Sequence, residues 1–187
     1  MSGSRDVAVF VGSLRKGAFS RMTAQALSAV APPELNLQIV EIGQLPLYNP
    51  DDDGAAPHPA WAAFRARVKA ADAVLFVTPE YNRSVPAALK NALDVASRPS
   101  GQSAWNGKPG AVVSTSPGAI GGFGANHHLR QSLVFLNVPA MQQPEAYIGA
   151  VATAFAADGT LASESVQKFL RDFMAAFAVW IESNIRA

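Results

Sequence analysis

Ala73-Val74-Leu75-Phe76-Val77-Thr78-Pro79-Glu80-Tyr81-Asn82-Arg83-Ser84-Val85-Pro86 is the stretch from which the fold can be read. Its first five residues form a continuous apolar run without polar alternation, which predicts a strand buried on both faces. Pro79 to Asn82 make a stiff polar turn. Ser84-Val85-Pro86 then predicts the start of a helix, where proline suits the first turn. A strand that passes through such a turn into a helix places the turn at the carboxyl edge of a parallel sheet. Open α/β sheets bind ligands at that edge.

The same cadence recurs on both sides of this stretch. Val7 to Val11 predicts a first buried strand, Gly12 to Ser20 a loop, and Met22, Ala26, Leu27 and Val30 one face of a helix that stops at Pro32-Pro33. Leu37 to Ile42 predicts the second strand, Pro46 to Gly54 a loop of turn formers, and Trp61, Phe64 and Val68 a second helix. Leu89, Ala92, Leu93 and Ala96 are the apolar face of the helix after Pro86. Gly110 to Ser114 predicts the fourth strand, about Ala125 to Leu136 a helix, and Val138 to Met141 the fifth strand. Asp158-Gly159 reads as a turn. Ser163 suits the cap of a last helix, in which Val166, Phe169, Leu170, Phe173, Phe177, Trp180 and Ile181 recur at helical spacing. Strands alternating with helices imply right-handed crossovers, hence an α/β three-layer sandwich on a five-stranded parallel sheet. With no internal repeat and no linker, residues 1–187 are expected to form one domain.

Composition narrows the function. Apolar residues make up 49% and charged residues 16% of the chain, as in a globular protein. A net charge of +1 supplies no field to steer nucleic acid. The chain contains no cysteine, which excludes disulfides, thiolate metal sites and dithiol redox chemistry, so a redox role requires a cofactor. The polar start Met1 to Asp6 has no secretory pattern, and no run of about 18 apolar residues predicts a membrane span. A cytoplasmic protein is expected.

The loops after strands one, three and four meet at one sheet edge, and they are the loops richest in Gly, Ser and Pro. Gly12 to Ser20 opens a helix whose free N–H groups and dipole suit a phosphate, with Ser13 and Ser20 as hydroxyl donors and Arg15 as a charged one. It lacks the Lys-Ser/Thr pair of a P-loop and the G-x-G-x-x-G of a dinucleotide site, so a single terminal phosphate fits it best. Pro79 to Asn82 offers an aromatic face in Tyr81 and polar groups for a heteroaromatic ring. Ser114 to Gly122 has glycines that permit close backbone approach. Taken singly, each loop can also be read as an ordinary strand-to-helix turn. The three histidines form no metal pattern, since His127 and His128 are adjacent and a helix would point them about 100° apart. Glu80 reads as a helix-start charge rather than a catalytic acid. Lys90 and Asp94 are spaced to pair with each other or across a subunit interface.

Gly12-Ser13-Leu14-Arg15 and Pro79-Glu80-Tyr81-Asn82, running into Ser84-Val85-Pro86-Ala87-Ala88-Leu89-Lys90-Asn91-Ala92-Leu93-Asp94, resemble the NADPH-dependent FMN reductase family. Gly118-Ala119-Ile120-Gly121-Gly122 and His128-Leu129-Arg130-Gln131 resemble its quinone and chromate reductase branch. The resemblance implies a flavodoxin-like fold, bound FMN, and NAD(P)H-driven two-electron, ping-pong hydride transfer to quinones. Chromate, azo dyes and nitroaromatics could be reduced at the same open site without dedicated recognition, and a homodimer or homotetramer is implied. By position, Ser13, Arg15 and Ser20 would hold the FMN phosphate, with Phe19, Arg21 and Met22 beside them. Pro79, Glu80, Tyr81 and Asn82 would line the isoalloxazine, and Ser114, Ser116, Pro117 and Gly118 would approach its pyrimidine side. Family members often have Ser where this chain has Ala18 and Asn where it has Ser20, so one phosphate hydroxyl is missing. The resemblance requires no catalytic side chain, because the ring carries the chemistry. The competing class is a flavodoxin-type electron carrier or flavin-binding sensor, against which the near-neutral charge speaks, since docking to redox partners relies on a one-sign surface. A third reading is an α/β domain without flavin.

Overall fold

Arg5–Val11 (β1) alternates between two cores, and the whole architecture follows from that alternation. Val7, Val9 and Val11 pack with Leu27 of α1 (Phe19–Val30) and with Leu170, Phe173 and Phe177 of α5 (Glu164–Asn184). Ala8 and Phe10 turn to the opposite layer, with Phe64 of α2 (Pro59–Ala70), Leu89 and Leu93 of α3 (Ala87–Ala96), and Leu129 and Leu133 of α4 (Phe123–Phe135). A strand covered on both faces has no solvent side, which is why its sequence reads as an unbroken apolar run. This computed structural model describes residues 4–185; Met1 to Gly3 of the polar start lie outside the described residues.

The sheet is five-stranded, in the order β2 (Leu35–Val40), β1, β3 (Ala73–Pro79), β4 (Gly110–Thr115), β5 (Ala146–Ile148), and every pairing is parallel. Val11 lies opposite Val77 and Pro79 opposite Thr115, so the carboxyl ends of β1, β3 and β4 come out side by side. The strand order reverses between β1 and β3, where crossovers to opposite faces leave a crevice.

Two expectations shift. The second strand is Leu35–Val40 rather than Leu37 to Ile42. The fifth strand is not Val138 to Met141, where Ala140 makes a single parallel bridge to Gly110; it is the three-residue Ala146–Ile148, in register with Val113 to Thr115. Pro139 lacks an N–H to extend a ladder, so that apolar segment contributes one bridge and leaves the edge to a shorter one. The last helix behaves as expected, with Ser163 Oγ accepting the N–H of Val166 at 3.4 Å.

The loop after β2 is pinned by a buried network. Arg65 donates to both Asp53 oxygens at 2.7 and 2.8 Å and to Val95 O at 2.8 Å, and Tyr48 Oη donates to Asp53 Oδ2 at 3.1 Å. The Arg65 guanidinium holds the Asp53 carboxyl below its usual range. Lys90 and Asp94 pair within α3 at 2.7 Å.

Candidate functional site

The cleft at the carboxyl edge of the sheet is built by the three loops. Gly12 takes the chain out of β1, and it must be glycine, because a Cβ there would lie 2.7 Å from Thr78 Oγ1. Ser13 follows, buried; its Oγ lies 3.1 Å from Tyr81 Oη and accepts the N–H of Arg15 at 3.3 Å. One hydroxyl thus ties the first loop to the second. Arg15 is exposed at the cleft and donates to Gly17 O at 2.9 Å, with no carboxylate partner among the described residues. α1 begins at Phe19 with no side-chain cap from Ala18; the N–H groups of Arg21 and Met22 bond Ala18 O at 2.9 and 3.1 Å, which leaves those of Phe19 and Ser20 without an acceptor. Ala18, Phe19 and Ser20 line the same space, and the buried Ser20 Oγ has no hydrogen-bond partner.

Pro79, Glu80 and Tyr81 form the middle wall. Tyr81 and Ser84 exchange backbone hydrogen bonds at 3.1 and 3.0 Å around Asn82 (φ 51°) and Arg83 (φ 64°). Two positive φ values in sequence define the tight turn that normally calls for Asn-Gly. Glu80 turns away from solvent: one oxygen accepts the N–H of Ala125 at 3.1 Å, at the first turn of α4, and the other meets Arg83 at 3.3 Å. Glu80 thus sits at a helix start, but at that of α4, 45 residues on, rather than of the helix that follows its own turn. Gly124 permits the approach, since a Cβ there would stand 2.8 Å from Glu80 Oε2.

The third wall is Thr115, Ser116 and Pro117. Ser116 is locked by backbone bonds to Ile148 and Val151, and its Oγ accepts the N–H of Gly118 at 3.1 Å. Five expected site residues lie outside the cleft lining. Arg21 is engaged with Glu41 at 2.7 Å, and Met22 lies beside Gly159 in a neighbouring groove. Asn82 sits at the tip of its turn, Gly118 lies behind Ser116, and Ser114 is fully buried with Asn126 Nδ2 at 3.2 Å. Ala18 and Thr115 also line the cleft; both fall within the loops read from the sequence, and the register of Thr115 with Pro79 brings Thr115 to the cleft.

No group of three or more His, Asp or Glu positioned for a metal occurs among the described residues. His58 caps α2, His128 Nδ1 is 3.0 Å from Ser84 Oγ, and His127 Nε2 is 2.8 Å from Tyr147 Oη. Burial, and after it the Glu145 carboxylate, pushes the Tyr147 phenol up to about 12, so it remains protonated.

Helix N–H groups without acceptors, a guanidinium with no carboxylate partner among the described residues and an unpartnered hydroxyl are donors of the kind a phosphate would use, and Tyr81 supplies an aromatic wall beside them. Fold and cleft together define a flavodoxin-like mononucleotide-binding protein. The chain belongs to the NADPH-dependent FMN reductase family, whose profile matches residues 5–153. It is 60% identical over 184 residues to a quinone reductase of Pseudomonas putida, covering 98% of both chains. It is 48% identical over 178 residues to a 2-hydroxy-1,4-benzoquinone reductase of a Burkholderia species, covering 95% of this chain and 97% of that protein. Among solved structures, FerB, a flavoenzyme NAD(P)H:(acceptor) oxidoreductase from Paracoccus denitrificans, superposes with a TM-score of 0.90 at 44% identity, covering 96% of this chain and 98% of that one.

Proposed function

We propose that this protein is an FMN-dependent NAD(P)H oxidoreductase that reduces quinones by two electrons. The observation that carries the proposal is the full-length likeness to quinone reductases in a chain that keeps an unpartnered serine hydroxyl and a free arginine at the helix start expected to hold the phosphate. Bound FMN would supply the hydride relay between nicotinamide and acceptor. Ser20, the first N–H groups of α1 and Arg15 would hold its phosphate, and Pro79 to Tyr81 would set one edge of its ring. Thr115, Ser116 and Pro117 would face the opposite edge. The N–H-rich backbone of these loops would offset negative charge gained on reduction, as preorganised donors do at an oxyanion. Glu80, engaged at the start of α4, is not available as an acid or base.

NAD(P)H as reductant suits a cytoplasmic protein, and none of the described helices is long and apolar enough to cross a membrane. A homodimer or homotetramer is supported by the exposed apolar residues Ile120, Phe123, Val134 and Phe135 on and before α4. Single-domain organisation is supported by the one sheet that both cores cover.

The test is direct. The purified protein should take up FMN, seen as a shifted visible spectrum, and should consume NADPH faster with benzoquinone than without. FMN uptake with no NADPH oxidation under any acceptor would leave a carrier or sensor; no FMN uptake would remove both flavin readings.

A further inference from the structure

Two hydroxyls in the first turns of α1 are buried and without partners. Ser20 and Thr23 are each 1% exposed, and neither Ser20 Oγ nor Thr23 Oγ1 makes a hydrogen bond. Among the described residues only Ser103 Oγ and Arg130 Nη2 share that condition. Positions 20 and 23 are three apart, so their side chains are neighbours on one helix face. Ser20 lines the cleft, and Thr23, buried three residues further along α1, does not.

The state of Thr23 is unusual for a helix. A serine or threonine there commonly bonds the carbonyl four residues back, as Ser28 of the same helix does to Ala24 O at 3.0 Å. Thr23 does not. A valine would fill the same shape without burying an unsatisfied hydroxyl. A hydroxyl retained in such a place points to a partner that arrives with a ligand.

Resting on the flavin assignment above, we propose that Thr23 is a positioning residue for the cofactor phosphate, acting through Ser20. With a phosphate at the start of α1, Ser20 donates to a phosphate oxygen. Thr23 donates to Ser20 Oγ, directly or through one water held between the two hydroxyls, and so fixes the serine rotamer and strengthens its bond. Ala18 has no hydroxyl to offer at the rim of the loop. In this chain the polar contact is extended into the helix instead.

The experiment is titration of the full-length protein, stripped of flavin, with FMN and with riboflavin, which lacks the phosphate. Thr23→Val should weaken FMN about tenfold, the upper end for one hydrogen bond between neutral groups. It should leave riboflavin affinity unchanged and should not lower the melting temperature of the flavin-free protein. Thr23→Ser should retain wild-type FMN affinity, and in a Ser20→Ala background Thr23→Val should have no further effect. Equal FMN affinity in wild type and Thr23→Val would overturn the proposal. So would parallel weakening of FMN and riboflavin, or a Thr23→Ser that behaves like the valine variant. A wild type that binds neither flavin overturns the flavin assignment and this proposal with it. One that binds both equally overturns the proposal alone.

Discussion

On one side of the cleft, Glu80, Tyr81 and Ser84 of the turn are hydrogen-bonded within the fold; on the other, beyond the engaged Ser13, the segment from Arg15 to Ser20 leaves polar groups for a ligand. Glu80 holds Ala125 and Arg83, Tyr81 and Ser84 bond each other, and Ser84 meets His128. Across the cleft, Ser20 Oγ is orphaned, α1 has no side-chain cap, and Arg15 reaches only a nearby carbonyl. A buried polar group left unsatisfied costs stability, so groups already paired serve as scaffold while unpaired ones mark where a ligand completes the network. Motif resemblance ranks the two loops alike, whereas their hydrogen bonds assign them different work.

If that contrast holds, substitutions in the open loop change binding and those in the closed turn change stability. The largest effect is expected from Arg15→Ala. Loss of a charged donor to phosphate should weaken FMN about 100-fold, while the melting temperature of the flavin-free protein stays within about 2 °C, as for an exposed side chain. Flavin fluorescence titration beside a thermal melt reads both, and unchanged affinity would remove Arg15 from the phosphate site.

Gly124→Ala comes next. Its Cβ would press within 2.8 Å of Glu80 Oε2 and 2.9 Å of Arg83 O. Forcing α4 from the turn should cost about 2 kcal/mol, read from the midpoint of urea unfolding. A variant as stable as wild type would show that the turn and α4 are not rigidly joined.

Glu80→Ala removes the acceptor at the start of α4 and should cost about 1 kcal/mol, a fall of about 2–4 °C in melting temperature. FMN affinity should fall by less than in Arg15→Ala; the reverse order would make Glu80 a ligand contact rather than a strut. The smallest effect is expected from Arg83→Gly. Glycine relieves the positive φ at 64°, while an exposed ion pair of small worth is lost. The melting temperature should rise by about 1–3 °C. A fall would mean that the Glu80–Arg83 pair outweighs the backbone strain.

Legibility followed the range of the forces involved. β1, β3 and β4 could be read from their apolar runs because burial on both faces leaves a mark in every residue. The Ser163 cap and the apolar face of α5 are local patterns of the same kind. β5 is not legible because a three-residue edge strand carries too short a pattern, while the apolar segment Val138 to Met141, which contains Pro139, carries a stronger one. Ser114 illustrates the limit inside a motif: it ends an apolar strand beside the expected site, yet its hydroxyl faces Asn126 rather than the cleft.

The sequence by itself determined the α/β order, the three loops that share an edge, and the resemblance that makes FMN the expected cofactor. Those are properties of neighbouring residues and of their spacing. Only the tertiary structure decided which polar groups are committed and which are free. Glu80 is engaged because Ala125, 45 residues further on, brings its N–H to the carboxylate, and Ser13 because Tyr81, 68 residues away, closes over it. Ser20 and Thr23 remain unpartnered because nothing in the folded chain reaches them. Whether a donor has an acceptor is settled by segments distant in sequence, and packing alone brings those together.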